Sequence, residues 1–231
     1  KGKEYIVKTI VTTDLMQVLA DHYHVECFNV LTGFKYIAEV IRKNEGKKVF
    51  ICGGEESYGF NVGEFVRDKD AVVSSVLVSE VACWAAARGK TLYDLLKEVY
   101  LRFGYFKERM VSRTLKGKDG MEQIKSIMKG LRENPPQQLL GSPVVLIHDY
   151  KRSETVDMVS DLRYRINLPQ SDVIQFICAD NTVVTVRPSG TEPKIKYYYG
   201  VRSKLASAAA YLETESLVNE KLAALHGIFQ K

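Results

Sequence analysis

The 231-residue chain is poor in cysteine: Cys27, Cys52, Cys83 and Cys178 lie far apart, with no C-x-x-C pair among them. That spacing excludes a disulfide-stapled scaffold. Three of the four fall inside apolar runs, so buried free thiols in a reducing compartment are expected. No apolar run approaches the ~18 residues of a membrane span, which leaves a cytoplasmic protein with no membrane partner as the expectation. The Lys and Arg total of 33 exceeds the 28 Asp and Glu by only five, and the excess is scattered. Without a basic run interleaved with aromatics, no nucleic-acid partner is expected. His22, His24, His148 and His226 share no metal-ligand spacing, so no metal site is expected in this chain. No repeat, biased segment or signal-peptide core is visible, and the chain opens on Lys1-Gly2-Lys3-Glu4-Tyr5 without an initiator Met. It reads as a piece cut from something longer.

What is present is a regular alternation over the first ~105 residues. Tyr5 to Val11, Val25 to Val30 and Lys48 to Cys52 read as strands. Helices are expected from Thr12–Asp14 to about Tyr23, from Thr32-Gly33 to about Gly46, from Asp70 to Arg88 and from Thr91 to about Gly104. A polar, glycine-rich loop is expected over Gly53 to Gly63, and Trp84 is expected in the core. The later rhythm differs. Strands are expected at Lys107 to Thr114, Val144 to Tyr150, Val173 to Ala179 and Thr182 to Val186, with a hairpin turn at Asp180-Asn181. Helices are expected from Met121 to about Arg132 and from about Ser203 to Phe229. The fold class is therefore α/β: a mainly parallel βαβ-type sheet domain with helices, then a smaller α+β domain with an antiparallel sheet. The division is placed at 1–108 and 109–231.

Two loops carry candidate chemistry. Arg187-Pro188-Ser189-Gly190-Thr191-Glu192-Pro193-Lys194 lies between two strand-like runs. Its Arg offers a planar fork to two phosphate oxygens, the two hydroxyls add neutral donors, and Gly190 lets the backbone approach an anion. The other stretch is Gly53-Gly54-Glu55-Glu56-Ser57-Tyr58-Gly59-Phe60, followed by Arg67-Asp68-Lys69-Asp70. A carboxylate and a hydroxyl at a strand end suit a polyol. Lys69, just before a helix start, is placed to neutralise a phosphate or move a proton at a reacting hydroxyl. Each loop also has a plain structural reading, as a solvated hairpin tip or a surface charge cluster.

Together with Thr32-Gly33-Phe34-Lys35, these ordered motifs resemble the α-D-phosphohexomutase family of phosphoglucomutases and phosphomannomutases. The resemblance covers nearly the whole chain. Around Tyr58 and Arg67 the wording looks more like the branch of glucose-1,6-bisphosphate-dependent phosphoglucomutases and phosphopentomutases. It implies the third and fourth domains of a four-domain isomerase acting on a phosphorylated hexose. By that likeness Thr32, Gly33, Glu55 and Ser57 bind the sugar, and Lys69 sits near the reacting hydroxyl. Arg187, Ser189, Gly190 and Thr191 hold the phosphate that is not being transferred. The implied reaction runs through a phosphoserine and a bisphosphorylated sugar.

The family's Ser-His-Asn-Pro nucleophile string and its Asp-Gly-Asp-x-Asp-Arg loop for Mg²⁺ do not occur in these residues. The resemblance thus implies Mg²⁺ and a glucose 1,6-bisphosphate-type activator only for a longer enzyme. The expected partners are the missing N-terminal domains, and the chain alone is expected to be inactive. A phosphopentomutase, a non-catalytic phosphosugar-binding module and an interaction scaffold remain as alternatives.

Overall fold

The computed structural model describes residues 2–115, 117–190 and 192–229, the Lys118 side chain excepted. The chain divides into two compact units, Lys1–Phe106 with Lys204–Tyr211, and Lys107–Ser203 with Leu212–Lys231.

The first unit is built from β1 (Glu4–Thr9), α1 (Leu15–Tyr23), β2 (Glu26–Val30), α2 (Phe34–Asn44), β3 (Val49–Glu55), β4 (Gly59–Val62), α3 (Ala71–Ala86) and α4 (Leu92–Phe103). Its sheet has the order β2-β1-β3-β4, parallel except for the antiparallel edge strand β4. β1 is central and almost wholly buried, as a strand covered on both faces must be. One face packs Tyr5, Val7, Val30 and Phe50 against Phe34, Ile37 and Ile41 of α2. Those three helix residues recur at the i, i+3, i+7 spacing that puts side chains on one stripe. α1 packs against β1 and β2, and α3 against β4 and α4. Asp70 caps α3 by accepting from the Val72 and Val73 N–H groups. Thr91 and Asp94 form a reciprocal capping box on α4.

The stretch read as an open loop after Cys52 is instead a hairpin. β3 continues to Glu55, and the ladder with β4 pairs Glu55 with Gly59 across a three-residue turn that ends on Tyr58 at φ 55°. Its glycines are dictated by close approach. A Cβ on Gly53 would lie 2.8 Å from the Val7 carbonyl oxygen, and one on Gly54 2.7 Å from that of Gly59.

The second unit contains β5 (Tyr105–Thr114), α5 (Gly117–Glu133), β6 (Gln138–Leu139), β7 (Ser142–Asp149), β8 (Glu154–Asp157), β9 (Arg163–Arg165), β10 (Ile174–Cys178), β11 (Val183–Pro188), β12 (Lys194–Ser203) and α6 (Tyr211–Phe229). Strand order is β5-β12-β11-β10-β7-β8-β9, with β6 beside β7. The ladders β7–β10, β10–β11 and β11–β12 are antiparallel. Val218, Leu222 and Leu225 give α6 a buried stripe, and Phe229 packs near Tyr197 and Tyr199. All three consecutive tyrosines of β12 are buried.

Some expectations shift. The α5 helix begins at Gly117, before the expected Met121, in a stretch whose Lys116-Gly117-Lys118-Asp119-Gly120 composition suggests a polar turn; Lys116 lies outside the described residues. The short strands β8 and β9 were not foreseen. Ser203 ends a strand, and α6 begins only at Tyr211 after a 3₁₀ turn over Ala208–Ala210. All four cysteines are free, but only Cys178 is buried and Cys83 is exposed. Trp84 is half-exposed on α3, with the Arg88 guanidinium 3.9 Å from its ring centroid.

Charge is buried at two places. Lys8 is 2% exposed, its ammonium 2.9 Å from Asp14 Oδ1 and 3.1 Å from the Thr12 carbonyl. In the second unit Arg132 Nε lies 3.2 Å from both Asp149 oxygens, and its Nη2 is 2.6 Å from Asp172 Oδ1. The Lys151 and Arg152 N–H groups also donate to Asp149. This network fastens the end of α5 to the end of β7.

Candidate functional site

In the first unit β1, β2 and β3 run parallel, so their carboxyl ends open on one edge of the sheet, where ligands of α/β folds collect. The first site group forms there. Glu55, the last residue of β3, accepts a 2.6 Å hydrogen bond at Oε1 from the N–H of Gly33 at the start of α2. Gly33 has φ +121°, a conformation L side chains rarely adopt, so glycine here lets the loop turn its N–H toward the carboxylate. The second Glu55 oxygen lies along Gly59, whose Cβ would come within 3.2 Å of it.

Next to it, Thr9 Oγ1 at the end of β1 lies 2.9 Å from Thr12 Oγ1 and donates weakly to Glu56 Oε2 at 3.4 Å. Thr9, Thr12 and Glu56 therefore join a layer that sequence reasoning confined to Thr32, Gly33, Glu55 and Ser57. The available signal was positional: Thr9 closes a strand that is otherwise mostly apolar. Thr32 is half-buried beside Gly33. Ser57 is exposed on the hairpin tip and donates to Glu56 Oε1 at 3.3 Å rather than joining Glu55.

Lys69 pairs with Asp68 at 3.0 Å, and its ammonium is 5.7 Å from the Phe34 ring centroid. The Lys69 N–H and then its ammonium hold the Asp68 carboxyl below the usual carboxylate range. Lys69 is thus near the start of α2, with its charge held by its own neighbour.

The second unit supplies a cationic group on the hairpin between β11 and β12. Arg187 is directly opposite Lys196 in the antiparallel register, with Pro188 opposite Ile195. Residues opposite each other project to the same face. Two like charges in that relation repel, and an anion between them reverses the sign of the interaction. Neither Arg187 nor Lys196 has an ion pair or side-chain hydrogen bond with another described residue. Lys194 differs: its ammonium is 2.7 Å from Glu192 Oε2, and that bond lowers the Glu192 pKa.

The loop is held from within and from outside. The Ser189 N–H donates to the Lys194 carbonyl at 2.7 Å, and Ser189 Oγ accepts from the Glu192 N–H at 3.3 Å. The Leu115 N–H, just beyond β5, donates to the Pro193 carbonyl at 2.8 Å. Gly190 is exposed and has open space where a Cβ would stand. Thr191, expected in the same clamp, lies outside the described residues. Lys196 is the site residue the sequence did not offer. Only strand register reveals it, because it stands nine positions from Arg187 yet faces it across the ladder.

Among the described residues no three His, Cys, Asp or Glu side chains gather into a metal-holding group. No helix among them is long and apolar enough to cross a membrane.

This arrangement can be set against known proteins. Residues 1–103 match the family described as phosphoglucomutase/phosphomannomutase, alpha/beta/alpha domain III. The chain is 41% identical over 197 residues to a phosphoglucomutase of Staphylococcus aureus (strain bovine RF122 / ET3-1), spanning 85% of this chain and 36% of that one. It is also 41% identical over 199 residues to the phosphoglucomutase of strain MSSA476, again across 36% of that protein. The chain spans about a third of the length of the curated relatives it matches. In fold it superposes on the open form of Paramecium parafusin, a phosphoglucomutase, with TM-score 0.62 at 15% identity over 98% of this chain and 36% of that one. For a putative phosphomannomutase from Thermus thermophilus the TM-score is 0.56 at 20% identity, covering 94% and 37%. The architecture is that of the phosphohexomutases. The chain belongs to the phosphoglucomutase/phosphomannomutase family, with domain III at residues 1–103.

Proposed function

We propose that this chain supplies sugar and phosphate recognition to a phosphoglucomutase, an isomerase that interconverts hexose 1-phosphate and hexose 6-phosphate through a phosphoserine and a bisphosphorylated intermediate. In this reading the Glu55 layer, with Thr32, Gly33 and Ser57, receives sugar hydroxyls. Arg187, Lys196, Ser189, Gly190 and Thr191 hold the phosphate that stays in place. Lys69 supports proton transfer or charge stabilisation at the reacting hydroxyl. The nucleophile, the Mg²⁺ loop and any sugar-bisphosphate activator belong to domains outside this sequence, so the chain alone turns over no substrate.

The single observation that carries the reading is the Arg187–Lys196 pair, two cations set opposite each other, Arg187 with no carboxylate bonded to it among the described residues and Lys196 only adding to the field that lowers the Glu192 pKa. A charge-assisted, forked contact to a phosphate is among the stronger polar interactions a protein makes. Binding of glucose 6-phosphate to the chain, read by titration calorimetry, tests it. Arg187→Ala should weaken binding roughly 30-fold, or about 2 kcal/mol, with folding unchanged. Binding that is indifferent to this substitution removes the phosphate role. Mixing the chain with the remaining phosphoglucomutase domains should restore mutase activity; tight binding without restoration favours a non-catalytic module.

A further inference from the structure

The second unit holds a cavity of about 420 Å³ between the C-terminal half of α5 and the turn that joins β7 to β8. That is the size of a small-ligand site. Five of its lining side chains are cationic, and only Glu133 and Asp172 are acids. The α5 wall brings Lys125, Lys129 and Arg132, whose i, i+4, i+7 spacing sets them along one stripe. Lys151 and Arg152 come from the β7–β8 turn. Arg132 is the satisfied member: it is held by Asp149 and Asp172 and closes the floor beside the buried Met128. The other four cations are exposed, and the nearby acids do little for them. Glu133 is 3.8 Å from Lys129, Asp172 4.0 Å from Lys151 and Asp149 3.5 Å from Arg152. Lys125 has no ion pair among the described residues. The negative end of a helix attracts cations, but that field fades within the last turn. It accounts for Arg132, not for Lys125 two turns back or for the pair on the β7–β8 turn.

We infer that this cavity is a second anion site, separate from the Arg187 loop, that takes a diphosphate group, free or carried by a small organic molecule. Cations on two walls suit a ligand whose charge sits on two adjoining phosphates, since each wall can meet one of them. A single phosphate reaches one wall only. The Met128 side chain and the lysine stems give the cavity an apolar lining, so an organic body can follow the diphosphate in. Strand register separates this site from the Arg187 loop. Asp149 stands opposite Ile174, and Ile174 opposite Val186, so all three face the side of the sheet on which Asp149 meets Arg132 of α5. Arg187, the next residue along β11, faces the other side. The two sites share an edge of the sheet but not a face. The inference does not depend on the phosphoglucomutase reading, because it uses a different surface and a different ligand.

The test is titration calorimetry of the Arg187→Ala chain, in which the other phosphate loop is disabled, with inorganic pyrophosphate and with ADP. Each should bind saturably at one site, and the tighter of the two tells whether a free or an organic diphosphate fits better. Lys125→Gln combined with Lys151→Gln, one exposed position on each wall, should weaken binding roughly 10-fold. Lys43→Gln combined with Lys47→Gln removes the same charge from exposed positions of the first unit and should change binding less than about twofold. Orthophosphate should bind roughly 10-fold more weakly than pyrophosphate. With Arg187 intact, the Lys125 and Lys151 substitutions should leave glucose 6-phosphate affinity within about twofold. Absence of saturable binding to Arg187→Ala overturns the inference. So does binding that both pairs of substitutions weaken alike, or orthophosphate that binds as tightly as pyrophosphate. A parallel loss of glucose 6-phosphate affinity also overturns it, since the cavity is then part of the Arg187 site. Glucose 6-phosphate binding that survives Arg187→Ala bears on the proposed function alone, so the two readings fail separately.

Discussion

Arg132 and Arg187 bear the same guanidinium in the same unit, yet their surroundings are opposite. Arg132 is buried, with both Asp149 oxygens at 3.2 Å and Asp172 at 2.6 Å. Arg187 is half-buried, faces another cation across the ladder and has no carboxylate paired with it. A charge whose field is satisfied inside the fold contributes to stability and has little left for a ligand. A charge left unsatisfied beside its like weakens the fold slightly and is available to an incoming anion.

The contrast is sharpened first by removing the satisfied charge. Arg132→Met leaves the Asp149 carboxylate in a buried place with only the N–H groups of Lys151 and Arg152 and the Arg152 guanidinium at 3.5 Å. Stability in urea unfolding should fall by about 3 kcal/mol, while glucose 6-phosphate affinity stays within twofold. Replacing both partners, Arg132→Met with Asp149→Leu, should recover most of that loss, because an apolar pair needs no counter-ion. A stability loss below ~1 kcal/mol would put the pair among ordinary surface bridges.

Removing the unsatisfied neighbour should act the other way. Lys196→Met is expected to leave stability unchanged or raise it by a few tenths of a kcal/mol, since it relieves a like-charge pair. Phosphate-ester affinity should fall about fivefold, or roughly 1 kcal/mol. Unchanged affinity would confine the clamp to Arg187 and its loop.

The smallest effect is set by pH. Burial pushes the His148 imidazole below its ordinary value of 6.5, and its Nδ1 is 2.7 Å from Thr155 Oγ1. The folded-state pKa is depressed, so the unfolded chain takes up the proton first. Stability is therefore full above about pH 6.5 and declines as pH falls toward the folded-state pKa. A pH series of urea midpoints should show that decline between pH 7 and 5, and His148→Gln should flatten it. A slope untouched by the substitution would assign the decline to other groups.

Much of the fold was legible because local signals agreed. Asp70 and Thr91 before apolar runs are N-caps and act as such in the structure. Gly89 follows a helix with φ +67°, as the αL position at a helix end requires. The candidate loops were legible in composition but not in partnership. Nothing local says that Glu55 would bind the N–H of Gly33, or that Lys196 would face Arg187, because both relations depend on strand order and register. β3 was cut short at Cys52 because glycine is depleted in strands, and here neighbouring backbone fills the space a side chain would take. Trp84 was expected in the core because its helix is apolar, and it is half-exposed on α3 beside the Arg88 guanidinium.

Runs of glycine are commonly taken as slack in a polypeptide. At Gly53 and Gly54 the reverse holds, since the carbonyl oxygens of Val7 and Gly59 stand where side chains would be. The ribbon is wedged on both flanks, without room to swivel. A methyl group at either position would have to push β3 off β1 or prise the hairpin open, so the two glycines are the toll for bringing an acidic strand end so close to its neighbours.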